Sequence, residues 1–112
     1  FNHEAHLRLA WIHLRKSDLE EAVDNVCCQI TAFVDHLGAR DKYNKTLTVA
    51  AINIVHHFMQ KTNSDSFFRL IQEFPRLKTD FKEFVQSHYS IDVFTSVEAK
   101  TKYLSPDLVP FK

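Results

Sequence analysis

Glycine is nearly absent, one residue in 112, and proline occurs three times. Tight hairpin turns and phosphate-cradling loops depend on glycine, so hairpin-rich sheets, P-loops and GxGxxG dinucleotide sites are excluded. Long hydrophobic runs are missing too: the longest falls far short of the 18 or so residues that cross a bilayer, and no membrane partner is expected. Neither sign of charge is in excess, with 14 Lys+Arg interleaved among 14 Asp+Glu. Gripping phosphates needs clustered Lys and Arg, so no nucleic-acid partner is expected. The two cysteines, Cys27 and Cys28, are adjacent and cannot easily bridge each other, and no CxxC is present. That usage implies a reducing, cytoplasmic setting, and no signal peptide is expected.

What is present is an ordinary globular composition, 45% hydrophobic and 25% charged. A chain of this length fits one domain, residues 1–112, that buries roughly 65% of its unfolded surface. Ten Phe, one Trp and three Tyr supply large flat side chains for a core.

Apolar residues recur at helical spacing, which predicts an all-α bundle of five to six helices. A first helix over residues 3–15 has Asn2 as N-cap and Leu7, Ala10, Trp11 and Leu14 inward. Ser17 and Glu20 then form a capping box for a second helix, which carries Leu19 to Leu37 on one face and stops at Gly38. The loop 39–45 leads to a third helix over 46–61, apolar nearly all round and therefore central. Shorter helices follow over 66–73, stopped by Pro75, over 78–87, and over 97–103 with Thr95 and Glu98 as a second capping box. Ser105-Pro106-Asp107 turns into an irregular tail.

Seven histidines is a high count, and His3, His6 and His13 fall within an arc of about 80° on the first helix. Imidazoles three residues apart can share a transition metal such as Zn, which makes His3 and His6 candidate metal ligands. HxxH alone is a weak signal, and the more constrained HExxH is absent. On the third helix Thr46, Asn53, His57 and Gln60 form a polar line that either faces water, the blander reading, or lines a pocket. His56 reads as a partly buried core residue, His36 as a helix C-terminal cation, and the cysteines as small hydrophobes.

The opening Phe1-Asn2-His3-Glu4-Ala5-His6-Leu7-Arg8-Leu9-Ala10-Trp11 resembles the F-x-H-x-x-H-L-x-x-A-W start of a family of small uncharacterised bacterial helical proteins. Lys42-Tyr43-Asn44-Lys45-Thr46-Leu47-Thr48, where that family tends to show K-Y-H-x-T-I-T, His88-Tyr89-Ser90 and Leu104-Ser105-Pro106-Asp107-Leu108 extend the resemblance over nearly the whole chain. It implies a helical fold and a shared site near His3, His6 and residues 43–48, and brings no activity with it. The family's histidine after Lys-Tyr is Asn44 here. Asparagine is a poor transition-metal ligand but a good N-cap, so the departure favours a hydrogen-bonding pocket, or else calls on His88 as a replacement ligand.

The sequence therefore points to a small-ligand pocket between the first helix and the start of the third, built from His3, His6, Trp11, Tyr43, Asn44, Thr46 and His88. A small metal-dependent or histidine acid/base enzyme is one alternative. A protein-interaction module, including a homodimer, is another.

Overall fold

The computed structural model describes residues 3–63 and 65–111; the expected cap Asn2, with Phe1, and Ser64 lie outside them. Among the described residues seven helices run in the order α1 (His3–Lys16), α2 (Leu19–His36), α3 (Lys45–Met59), α4 (Phe67–Glu73), α5 (Arg76–Thr79), α6 (Phe81–Gln86) and α7 (Val97–Thr101), with a 3-10 turn at Arg40–Lys42. No strand occurs among the described residues. The all-α fold read from the sequence is thus the fold observed.

α3 lies at the centre, packed against α1, α2, α6 and α7. Val49, Ala50, Ile52, Ile54 and Val55 are buried on several sides of it, as expected of a helix with little polar surface. Leu7 of α1, Leu70 of α4, Leu77 of α5 and Val85 of α6 are fully buried in the same cluster. Their large aliphatic side chains each contribute roughly 1.5–3 kcal/mol by leaving water.

α2 ends as its glycine requires. Gly38 adopts φ +67, its N–H bonds to Asp35 O at 3.1 Å, and Ala39 N–H bonds to Val34 O at 2.8 Å. This Schellman pair satisfies carbonyls the helix would leave open, and a side chain would be strained at that φ.

Three local expectations are corrected. The α2 cap is Asp18, whose carboxylate accepts from Glu21 N at 2.8 Å, because Ser17 N–H is spent on His13 O at the end of α1. Before α7, Asp92 accepts from Phe94 N through its side chain and from Thr95 N and Ser96 N through its carbonyl. That turn occupies Thr95 and passes the cap to Ser96, which accepts from Ala99 N at 3.2 Å. The single helix expected over 78–87 is two, broken at Asp80, whose carboxylate is turned back onto Arg76 at 2.8 Å.

The C-terminal stretch is irregular but firmly held. Tyr89 donates to Leu104 O at 2.8 Å, Leu108 N–H to His88 O at 3.0 Å and Ser90 N–H to Asp107 Oδ1 at 2.9 Å. The Ser90 hydroxyl also donates to Asp107. These Ser90 bonds hold the Asp107 carboxyl below the usual carboxylate range. Because the folded value is depressed, the clamp is intact at neutral pH. It is lost as pH falls below the ordinary aspartate value of about 3.9 and through the lower folded one. The protection factor of the Leu108 amide should therefore fall in acid before those of α3 amides do, and Asp107→Ala should abolish that step. Unchanged Leu108 protection through the acid titration would refute it.

Candidate functional site

A cavity of about 540 Å³ opens between α1, α2, the first turns of α3 and the 39–44 segment, with Phe81 of α6 at its edge. Its walls are mainly aliphatic and phenyl: Val26, Ile30, Phe33, Val34 and Leu37 from α2 and its cap, and Leu47, Ala51 and Ile52 from α3. His3, His6, Lys42, Tyr43, Asn44 and Thr48 supply the polar groups. Their positions follow from the local fold. Arg40 forks onto Asp35 at 3.0 and 2.9 Å, Lys100 Nζ donates to Asp41 O at 2.9 Å, and Asn44 anchors both α3 and the 93 region. The 39–44 wall is thus tied to α2, α3 and α7.

His3 is placed by the break at Asp80. Leu77 O, with no helical amide to accept from, accepts from His3 Nε2 at 3.2 Å, and the imidazole packs on Phe81 with ring centroids 4.5 Å apart. A carbonyl can only accept, so Nε2 carries a proton. Nearby, Lys78 reaches Glu4 at 2.9 Å and holds its carboxyl below the usual range.

Asn44 is buried and bonded at both ends of its amide. Its Oδ1 accepts from Leu47 N at 2.9 Å, capping α3, while Nδ2 donates to Val93 O at 2.7 Å. Tyr43 is 8% exposed, and its hydroxyl is sealed from solvent with no hydrogen-bond partner of ordinary geometry among the described residues. Burial pushes its ionisation well up, and the adjacent Cys27 thiol favours the neutral phenol further. An orphaned buried hydroxyl costs about 1–3 kcal/mol. Tyr43→Phe is accordingly expected to stabilise the fold by about 1 kcal/mol in urea unfolding; a loss of stability would mean that the hydroxyl is satisfied.

Of the residues read from the sequence, the structure brings His3, His6, Tyr43 and Asn44 to this cavity and leaves Trp11, Thr46 and His88 outside. Trp11 lies about 140° around the helix from His6. It packs on Phe67 of α4 at 6.3 Å, with the Arg15 guanidinium 5.1 Å from its ring centre. Thr46 is fully buried, donating to Lys102 O at 2.8 Å and accepting from Leu104 N at 3.0 Å. His88 sits across α3, with Nδ1 2.6 Å from Val109 O and its ring tilted against that of Phe111, centroids 4.4 Å apart.

The polar line on α3 is neither a solvent stripe nor part of the main cavity. Thr46 holds the chain after α7, while Asn53 and His57 line a second cavity of about 330 Å³ with His88 and residues 109–111. Residues 109–111 of the C-terminal chain form one wall of it, and of the polar line only Gln60 is exposed. His13 is half-buried in the last turn of α1, and His36 is exposed at the end of α2. Cys27 is buried and Cys28 exposed, both as free thiols.

Sequence reasoning missed Lys42 and Phe81, reached Thr48 only as part of the segment 43–48, and placed Phe33 and Leu37 on the inward face of the second helix. Phe33 and Leu37 are 42% and 60% exposed at the cavity rim. Their spacing gives the helix face but not what lies opposite it. As for metal, no group of three or more His, Cys, Asp or Glu that could hold an ion occurs among the described residues. The pair His3 and His6 thus lacks the third protein ligand that zinc sites ordinarily have. Nor is any helix among the described residues long and apolar enough to cross a membrane.

Comparison with protein families, with curated proteins and with solved structures finds no match to this chain.

Proposed function

We propose that the protein binds a small molecule with a largely apolar body in the cavity between α1, α2 and the start of α3. The observation that carries this reading is the cavity itself. At about 540 Å³ it has the size of small-molecule sites, with apolar walls and a few polar groups from separate elements, His3 and His6 on one side and residues 42–44 on another.

The test uses N-phenyl-1-naphthylamine, an uncharged apolar fluorophore. Saturable one-to-one binding is expected, weakened at least about tenfold by Ala51→Phe, which puts a phenyl group into the cavity while leaving the helical circular dichroism unchanged. No saturable binding, or binding indifferent to Ala51→Phe, would overturn the proposal.

A further inference from the structure

We infer that the ligand of this cavity is an anionic amphiphile, an apolar body carrying one carboxylate-like group; the inference rests on the binding reading above and adds the sign of the charge. Neither Asp nor Glu lines the cavity among the described residues. The ionisable groups that do line it are His3, His6, Lys42 and Tyr43: one permanent cation, two imidazoles that become cations on protonation, and a phenol held neutral by burial. In a chain with equal numbers of acidic and basic residues, that is a local bias of one sign.

Asp41, beside Lys42 in the chain, lies outside the lining, and two other nearby carboxylates are engaged elsewhere. Asp35 is forked by Arg40, and Glu4 is held by Lys78 at 2.9 Å. Lys42 itself has no carboxylate partner among the described residues and stands exposed at the cavity, next to the buried Tyr43. The first turn of α3 ends on the same wall at Asn44, Leu47 and Thr48, so the positive end of its backbone dipole adds to the lysine. An apolar floor with a cationic rim suits a chain or ring ending in an anion. A neutral apolar molecule would gain nothing from the ammonium, and a cation would be repelled.

The experiment compares decanoate, decanol and decylamine below their aggregation concentrations by isothermal titration of the full chain. A carboxylate costs more to desolvate than a hydroxyl, so in a cavity without electrostatic preference decanol binds best. Here decanoate should bind roughly fivefold or more tighter than decanol, with decylamine weakest. Lys42→Gln should remove that preference, bringing decanoate down to the affinity of decanol or below it. Lys82→Gln, on the exposed surface of α6 away from the cavity lining, should leave it intact. Decanol binding as well as decanoate, or a preference that survives Lys42→Gln, overturns the charge assignment while the binding reading stands. If decanoate, decanol and the neutral fluorophore all fail to bind, both readings fall.

Discussion

Asn44→Asp is expected to destabilise the protein by about 3–4 kcal/mol at neutral pH, a large fraction of the roughly 5–15 kcal/mol available to a domain. The substitution preserves the α3 cap, because a carboxylate accepts from Leu47 N as well as the amide oxygen does. What it removes is the donor to Val93 O, at 2.7 Å in a site only 8% exposed, where an anionic oxygen would face a carbonyl. The introduced carboxyl should titrate above the ordinary aspartate range, since only its protonated form can donate to Val93 O. The penalty is therefore present above that raised folded value and is relieved as pH falls through it. Asn44→Ala loses the cap and the donor together, and its deficit should not change over the same pH range. Urea unfolding of the three proteins at pH 7 and pH 5 separates these outcomes. A neutral-pH stability of Asn44→Asp equal to that of the parent would show that the Val93 bond contributes nothing.

Thr46→Val should cost about 2–4 kcal/mol although it keeps the shape of the side chain, and should lower Tm by roughly 10–20 °C. The hydroxyl is fully buried and serves two partners from beyond α7, donating to Lys102 O and accepting from Leu104 N. Valine fills the space and strands both groups, leaving the chain either to bury them unpaired or to free residues 102–104 to water. In the second case the urea dependence shallows and the Leu104 amide exchanges faster. Thr46→Ser keeps the hydroxyl and gives up one methyl group, for a loss of only about 1 kcal/mol. Equal losses from valine and serine would assign Thr46 to packing alone.

Both substitutions act on bonds that span roughly half the chain, from 44 to 93 and from 46 to 102 and 104. No local pattern encodes such a partner. Asn44 is legible as a good N-cap from residue type, and it is the cap of α3, but that its other end reaches Val93 is not. Thr46 shares an arc with Asn53 and His57, and the arc is real. Its partner, the C-terminal chain, enters only when α7 packs on α3.

The sequence by itself determined the all-helical class, the central place of α3 and the stop at Gly38, because each follows from interactions within one or two turns of backbone. It also determined that His3 and His6 share a face, since three residues of helix fix their angular separation. What tertiary structure decided is which side chains meet across elements. Trp11 went to α4 and His88 to the far side of α3, while Lys42 and Phe81 joined the histidines. The break at Asp80 supplied a carbonyl for His3. Helical periodicity gives the angle of a residue about its own axis; the neighbouring helix it faces is chosen by the packing of the whole core, in which every element competes for the same buried surface.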